Sequence, residues 1–404
     1  MTSPRSERGL DWFAFFLADV QTGWGPFVAA YLTSVAWTQF DIGRVLTIGT
    51  LTGLLLQVPA GAVVDRVRAK RLLAAVAVVA VSGSALVLAL WPVWRAVVVA
   101  KVLHAIGSCL VGPAVAAISL GLVGHARLSV RLGRNARYLS LGNAIAAAAM
   151  GLAAYLYTDR AIFVLTAALG VPTLLALAQI RASEIDPALA RGGVAPDDGP
   201  DGRIARWRQA TLVVGRSRAL MIFAAAVLLF QLANAALLPI IAGALTQLKA
   251  ERAIVVVAVG ILLPQLVVAA LAPWVGRQAQ VRGRRPLLAL CFVALSIRAA
   301  IFGWSTHPGV VMAAQVLDGV SAATLGVLVP LVIADTTRGT GHFNLAQGAV
   351  GAAVGIGASL STAGAGYVAD VAGPGVVFGL LAAVAAAGLL LVVGLMPETG
   401  EARC

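Results

Sequence analysis

The stretch Gly61-Ala-Val-Val-Asp65-Arg66-Val-Arg68-Ala-Lys70-Arg71 separates two long apolar segments and concentrates charge between them. A similar stretch, Gly276-Arg-Gln-Ala-Gln280-Val-Arg282-Gly283-Arg284-Arg285, separates two apolar segments late in the chain. The glycine lets a helix end approach a neighbour closely, because it has no side chain. Asp65 can accept hydrogen bonds from free backbone N–H groups at the start of a nearby helix. The basic residues favour the headgroup region and fix which side of a membrane faces the cytoplasm.

Composition indicates an integral membrane protein. The chain has 404 residues, of which 60% are hydrophobic and 12% are charged, far from the composition of soluble domains. The net charge of +13 does not indicate nucleic-acid binding, because nearly all the arginines lie in short loops between apolar segments. The spacing of the three cysteines resembles neither a metal site nor a disulfide framework, so we expect no metal and no cofactor.

Twelve apolar segments are each long enough to cross a bilayer as a helix, which takes about 20 residues. The predicted spans are approximately 12–33, 43–64, 72–91, 96–120, 138–157, 161–180, 220–243, 253–275, 286–303, 309–334, 345–368 and 375–396. An even number of spans places both termini on the same side of the membrane.

The distribution of Lys and Arg predicts which side that is. Only five of these residues lie in the loops on one side: Arg44, Arg95, Arg160, Lys249 and Arg252. The tails and the loops on the other side hold 23. By the positive-inside rule, both termini are cytoplasmic.

One long polar segment divides the chain into six spans and six spans. We therefore predict an N-terminal bundle over 1–180, a cytoplasmic linker over 181–219 and a C-terminal bundle over 220–404. Pro, Gly and Asp in the first part of the linker predict a flexible chain. Residues 204–218 are typical of an amphipathic helix at the membrane surface, or of a plain solvated segment.

The two halves repeat each other at an offset of 214 or 215 residues. Lys101-Val-Leu-His104 aligns with Gln315-Val-Leu-Asp318, and Leu17-Ala-Asp19 aligns with Leu232-Ala-Asn234. The two charged loops align at the same offset. Parallel repeats of six helices, related by an axis along the membrane normal, are a known architecture of secondary transporters.

The charged loops resemble the pattern G-x-x-x-D-R-x-G-R-R between the second and third helices of the major facilitator superfamily. The first copy keeps Gly61, Asp65, Arg66 and Lys70, with Arg68 and Ala69 as departures, and Arg71 directly follows it. The second keeps Gly276, Gly283, Arg284 and Arg285, with Gln280 in place of the acid. The resemblance implies an all-α membrane protein with 12 transmembrane helices in two pseudo-symmetric six-helix bundles. It also implies that these loops act as conformational switches.

Few ionisable side chains lie inside the predicted spans, and each should face a wet cavity or a partner. They are Asp19, Lys101, His104, Arg298 and Asp318. At 1.5 Å per residue, the two acids and His104 fall near the bilayer midplane. Arg298 lies nearer the outer end of its span, where we expect its side chain to snorkel towards the interface.

We predict that Asp19 is the proton-binding group and that Lys101 or His104 modulates it, since opposite charge favours the ionised acid. The alternatives are a structural ion pair between Asp19 and Lys101, and a hydrogen-bonded helix contact for His104. Asp318 is either a substrate contact or a structural bond to a neighbouring helix. A family pattern, Arg-x-x-x-Gly in the fourth helix, is implicated in proton coupling, and Lys101 takes the place of its arginine.

In the family, helices 1, 4, 7 and 10 line a central cavity. The candidate substrate-cavity residues are polar residues of these helices, by that resemblance, and of the second and fifth spans. They are Gln21, Thr22, Gln57, Asn143, Gln231, Asn234, Gln315 and Asp318. The glycine-rich pattern of drug exporters in the fifth helix is weak, because Ala146, Ala147 and Met150 replace its central Gly-Pro and a following glycine.

We therefore expect a secondary transporter of a bacterial inner membrane that moves a small solute by alternating access, as a monomer in the bilayer. Acid and base together in helices 1 and 4 favour proton-coupled efflux, with proton-coupled uptake as the alternative. A receptor or assembly protein that does not transport is the alternative of another class. An enzyme is not expected, because no nucleophile–base set or phosphate loop occurs.

Overall fold

A computed structural model describes residues 2–22, 26–193, 215, 217–247 and 253–400, and all regular secondary structure within these ranges is helical. The predicted amphipathic segment 204–218 therefore lies mostly outside the described residues, and so does most of the linker.

The N-terminal half contains six α-helices and two short 3₁₀ turns in the described residues. The α-helices are α1 (Pro4–Thr22), α2 (Pro26–Ser34), α3 (Gln39–Arg66), α4 (Lys70–Leu90), α5 (Trp94–Leu156) and α6 (Arg160–Ala178). The 3₁₀ turns are Ala182–Glu184 and Leu189–Arg191.

The C-terminal half contains seven α-helices in the described residues. They are α7 (Arg218–Asn234), α8 (Leu237–Gln247), α9 (Ala253–Val281), α10 (Arg285–Trp304), α11 (Pro308–Thr336), α12 (Phe343–Ala372) and α13 (Pro374–Leu395).

These helices account for all twelve predicted spans, and ten helical segments of the described residues are long and apolar enough to cross a membrane. One of the ten is α5, whose 63 residues would measure about 95 Å if straight, far more than one crossing needs. It contains both the fourth and the fifth predicted span. The prediction of a loop over 121–137 was wrong: the chain there stays helical except at Gly124, where φ is 65° and ψ is 176°.

Two predicted spans are each built from two helices. The first consists of α1 and α2, and α1 begins at Pro4, eight residues before the predicted start. The seventh consists of α7 and α8, which are separated by Ala235 and Ala236. The backbone N–H of Ala236, released by this break, donates to Oγ of Ser361 at 3.1 Å. Interruptions of this kind are tolerated at membrane depth where neighbouring side chains satisfy the freed backbone groups.

The chain divides into two compact units, each with a short segment from the other half. The first unit comprises Met1–Arg131, Tyr138–Arg203 and Thr337–Ala349. The second comprises Leu132–Arg137, Ile204–Thr336 and Val350–Cys404. In the first, α6 packs on α1 and α4, and in the second, α10 packs on α11 and α13. The predicted domain boundaries at 180 and 220 stay a prediction.

In each unit, the short segment that comes from the other half of the chain packs closely on a helix through a glycine. In the first unit, a Cβ added to Gly348 of α12 would lie 2.4 Å from the backbone oxygen of Gln57 in α3. In the second unit, a Cβ added to Gly133 of α5 would lie 2.5 Å from the backbone oxygen of Ala272 in α9. The two contacts differ by the same 215 residues as the sequence repeat, so the repeat extends to backbone packing. Glycine permits this close approach of two helices.

Candidate functional site

Asp65, at the end of α3, binds the start of α12. Its Oδ1 accepts hydrogen bonds from the backbone N of Asn344 at 3.1 Å and from Nδ2 of Asn344 at 2.8 Å. Its Oδ2 accepts from the backbone N of Leu345 at 2.8 Å. Asp65 is only 4% exposed, and water therefore contributes little to its hydrogen bonding. The carboxylate is instead bonded by N–H groups that the start of a helix leaves free. The predicted hydrogen bonds of this acid to the start of a helix are confirmed, whereas its switching role stays a prediction.

The rest of the first loop packs around this contact. A Cβ added to Gly61 would lie 2.1 Å from the backbone oxygen of Asn344, so the two helices meet where there is no side chain. Lys70 is 1% exposed, and its Nζ donates to the backbone oxygens of Val64 and Asp65. Nη1 of Arg71 donates to the backbone oxygen of Ile180 at 2.7 Å.

The second loop uses other partners, all within the second unit. Nε of Arg284 donates to Oδ2 of Asp335 at 2.9 Å, and its Nη1 donates to the backbone oxygen of Ala279 at 2.7 Å. The carboxylate of Glu398 accepts from the backbone N of Arg284 at 2.7 Å and of Arg285 at 3.1 Å. Gly283 has a φ of 86°, which favours glycine.

Sequence analysis did not single out Asp335 or Glu398, which hold this second loop. The signal was present, because each is an acid close in sequence to the end of a predicted span. The remaining loop residues have different surroundings: Gly276 is buried, Arg66 is exposed and Gln280 is half-buried.

A buried ion pair joins three helices of the second unit. Nη1 of Arg298, on α10, donates to Oδ1 of Asp318 on α11 at 2.6 Å. The same nitrogen donates to Oδ1 of Asn234, at the end of α7, at 2.7 Å. Arg298 is 2% exposed, whereas 23% of the Asp318 side chain is exposed. The expectation that Arg298 snorkels was wrong, because its depth along the span does not tell which face of the helix carries it.

A second buried ion pair was missed. Nη2 of Arg131 on α5 contacts Oδ1 of Asp11 on α1, and both side chains are at most 4% exposed. Nη1 of Arg131 also donates to the backbone oxygen of Glu7 at 3.4 Å. The sequence pattern predicts a loop over 121–137 with Arg131 in it, whereas the structure places Arg131 on α5.

The proton-coupling candidates lie on α1 and α5. Lys101 is 7% exposed and passes Gly49 of α3, where an added Cβ would lie 3.0 Å from its Cε. Nε2 of His104 lies 3.3 Å from Oγ of Ser108. The side chain of Asp19 lies outside the described part of the chain, as do the side chains of Gln21 and Thr22.

The other candidate cavity residues differ in exposure. Gln57, Asn143 and Gln231 are half-buried. Gln315 is fully buried, and its Nε2 donates to the backbone oxygen of Gly260 on α9 at 3.1 Å. In this conformation, Gln315 therefore bonds one helix to another, and a cavity role would require a movement of α9 or α11.

Two units built from membrane-length helices, with ion pairs buried among those helices, are typical of polytopic membrane transporters. The chain belongs to the Major Facilitator Superfamily: the model of that family matches residues 12–264 and 223–403. It is therefore a multi-pass membrane protein of a family of secondary transporters, and not an enzyme. The fold and the family inferred from the charged loops are confirmed.

The relatives by sequence are mycobacterial. An uncharacterised MFS-type transporter of Mycobacterium tuberculosis, present in strains CDC 1551 / Oshkosh and H37Rv, is 37% identical to this chain over 397 residues. The alignment covers 98% of this chain and 94% of the relative. The match therefore extends over both halves and the linker.

Solved structures share the fold at low sequence identity. The human organic anion transporter MFSD10 (TETRAN) is 15% identical with a TM-score of 0.71, over 96% of this chain and 100% of that one. FucP in the outward conformation is 13% identical with a TM-score of 0.70, over 95% and 98%. The proton:xylose symporter XylE is 13% identical with a TM-score of 0.71, over 98% and 95%. At these identities, the likeness bears on the fold alone.

Proposed function

We propose that this secondary transporter exports a small solute in exchange for protons, by alternating access. The contact of Asp65 with Asn344 and Leu345 supports alternating access. In this contact, a buried carboxylate bonds the start of a helix. If α12 separated from α3, both the charge of Asp65 and the free N–H groups of α12 would be exposed to water. The carboxylate and the N–H groups can form hydrogen bonds either with each other or with water. The contact can therefore open and close as a unit. The presence of an acid and basic groups in the first and fourth predicted spans supports exchange for protons.

The charged loops are the proposed switch residues: Gly61, Asp65, Arg66, Lys70, Arg71, Gly276, Gln280, Gly283, Arg284 and Arg285. In the first loop, Lys70 donates to the backbone at the end of α3, and in the second, Arg284 donates to the backbone near the end of α9. The two bonds hold equivalent places in the repeat. We infer that each fixes the shape of its loop while the loop gains or loses its other partners.

Proton coupling is proposed for Asp19, with Lys101 and His104 as the groups that respond to it. The support is that Lys101 and His104 lie one turn apart on α5, and that Lys101 is nearly inaccessible. A buried ammonium is costly unless a charge or a proton change compensates it. Reversible protonation of Asp19 would supply that change.

Substrate contacts are proposed for Asp318 and Asn234, with Arg298 as the group that holds both. Oδ2 of Asp318 and Nδ2 of Asn234 have no hydrogen-bond partner among the residues whose side chains the structure describes. The ion pair is electrically neutral. These two atoms would therefore offer one acceptor and one donor to a polar group of the solute, without a net charge. Gln21, Thr22, Gln57, Asn143, Gln231 and Gln315 are proposed as further contacts of the transport cycle.

The proposed location is the bacterial plasma membrane, with both termini cytoplasmic and the transporter acting as a monomer. The support is the excess of Lys and Arg on one side and the bacterial relative.

The test begins with a deletion strain grown against toxic compounds and on single carbon sources. Sensitisation to a compound supports export, whereas failure to grow on one nutrient supports import. The compound is then offered to proteoliposomes of the purified protein under an imposed pH gradient. Exchange for protons predicts accumulation when the vesicle interior is acidic. Accumulation only with an alkaline interior would establish proton-coupled uptake instead, and indifference to the gradient would contradict coupling.

A further inference from the structure

The first described part of the linker is folded, although its composition predicts a flexible chain. Between the two 3₁₀ turns, Oδ1 of Asp186 accepts hydrogen bonds from the backbone N of Ala188 at 2.8 Å and of Leu189 at 3.1 Å. The backbone N of Gly193 donates to the oxygen of Ala188 at 2.8 Å, which closes a compact loop. An Asp that bonds the backbone two and three residues ahead is a strong local determinant of structure.

One end of this loop is anchored on α5. The backbone N of Asp186 donates to the oxygen of Gly121 at 3.0 Å. A Cβ added to Gly121 would lie 2.8 Å from Cγ2 of Ile185, so a glycine is needed where the loop lands. Ile185 is 7% exposed, and Ala190 is completely buried in a core to which α1, α3, α4, α5 and α6 all contribute. The anchor is therefore apolar as well as hydrogen-bonded.

The other end bonds the segment that leads into α12. The backbone oxygen of Gly192 accepts from the N of Gly339 at 2.6 Å. The backbone oxygen of Ala190 accepts from Nδ2 of Asn344 at 3.0 Å. Glycine is favoured at position 192 for two reasons. Its φ is 100°, and a Cβ there would lie 3.0 Å from the backbone oxygen of Thr337.

We propose that residues 185–193 form a clasp, a working part of the switch and not a passive tether between the two halves. Nδ2 of Asn344 donates both to Asp65 and to Ala190, so one side chain ties the acid of the first loop to the linker. A movement of residues 339–344 away from α3 would therefore break the bonds to Asp65, to Ala190 and to Gly192 together. The clasp thereby stabilises the state in which Asp65 is bonded, and its release is part of opening. This inference rests on the proposed switching role of Asp65.

Burial and electrostatics fit this role. Burial lowers the pKa of His342, just before α12, and the charge of Arg191 in the clasp lowers it further. Because the pKa of His342 lies below its ordinary value, this imidazole adds no positive charge beside Arg191 at physiological pH while the clasp is closed.

The test measures how often the start of α12 separates from α3. Ala346 is completely buried, so Ala346→Cys, with the native cysteines replaced, should react slowly with a maleimide in nanodiscs. Asp186→Ala removes the two loop bonds, and Gly192→Ala strains the loop. Each should speed labelling about tenfold, as expected when one or two hydrogen bonds are lost. Asp186→Asn keeps the accepting oxygen, and Gly43→Ala adds a Cβ that meets nothing within 4 Å, so both should label at the original rate.

Asp65→Ala separates the two proposals. If it speeds labelling while Asp186→Ala and Gly192→Ala do not, the clasp is overturned and the role of Asp65 stands. If Asp65→Ala has no effect either, the proposed switch itself fails.

Amide hydrogen exchange of the unmodified protein repeats the test without a variant. The N–H of Gly339, which bonds the clasp, should be protected to the same degree as the N–H of Asn344, which bonds Asp65. Fast exchange at Gly339 beside a protected Asn344 would overturn the clasp.

Discussion

Asp65 and Asn344 lie 279 residues apart in the chain, yet one carboxylate oxygen accepts two hydrogen bonds from Asn344, through its backbone N and its side-chain amide. The other oxygen bonds the next residue, Leu345. A single acid therefore accepts hydrogen bonds from two backbone N–H groups at the start of α12 within the first unit. The acid of the first charged loop therefore forms a specific contact with α12, and a substitution can break that contact.

Asp65→Ala should release the start of α12 selectively. Hydrogen bonds to a charged group contribute about 1.5–3 kcal/mol, so the amides of Asn344 and Leu345 should exchange roughly 10- to 100-fold faster. The measurement is amide hydrogen exchange by mass spectrometry. Asp41→Ala is the control, since the exposed contacts of the Asp41 side chain, to Arg44 and Thr38, lie at the opposite end of α3 from Asp65. Equal protection in Asp65→Ala and in the parent would refute the contact.

Gly348→Ala should destabilise the protein, because the new Cβ would lie 2.4 Å from the backbone oxygen of Gln57. The helices must move apart, at a cost of about 1–3 kcal/mol typical of overpacking. Gly133→Ala should behave alike at the equivalent position of the repeat. Gly364→Ala, also on α12, meets nothing within 4 Å and should leave the thermal unfolding temperature unchanged or slightly higher. Indistinguishable unfolding temperatures for all three variants would rule out the close packing.

Arg298→Ala should be strongly destabilising, since it leaves Asp318 without its partner. Removing one member of a buried pair costs about 3–5 kcal/mol. The double variant Arg298→Ala/Asp318→Ala should recover part of that loss, because no uncompensated charge remains. Thermal unfolding in detergent measures these differences. The control is Arg127→Ala, which removes the ion pair of an exposed arginine with Glu7 and should cost at most about 1 kcal/mol. Strict additivity of the two single losses would show that the side chains are not coupled.

The fold was predictable because hydropathy and charge act over whole segments. Twenty apolar residues mark a span whatever their partners, and the 23 basic residues on one side mark its orientation. The loop over 121–137 was not predictable in this way, since a single non-helical residue, Gly124, redirects a helix that otherwise continues. Its arginines have the sequence pattern of loop charges, although Arg131 is buried in an ion pair with Asp11.

The site was predictable only in part. The position of a residue in the sequence gives its depth in the bilayer, but it does not give which neighbouring helix its side chain faces. Asp65 was identified since a helix start needs an acceptor, and that requirement is local. Arg298 was misplaced since its partners, Asn234 and Asp318, come from two other helices. The linker was expected to be flexible from its composition. Its first part is nevertheless structured, by the local bonds of the Asp186 side chain and by backbone bonds to Gly121 and Gly339, which are distant in sequence.

Transport by proteoliposomes containing the parent protein, Asp19→Asn or Asp65→Ala tests the account most directly, with the compound identified by the growth screen. We predict that the parent accumulates the compound when the interior is acidic and also exchanges labelled for unlabelled compound without a gradient. Asp19→Asn should lose accumulation but keep exchange, because only the coupling is removed, while Asp65→Ala should be impaired in both. Undiminished gradient-driven accumulation by Asp19→Asn would contradict the account.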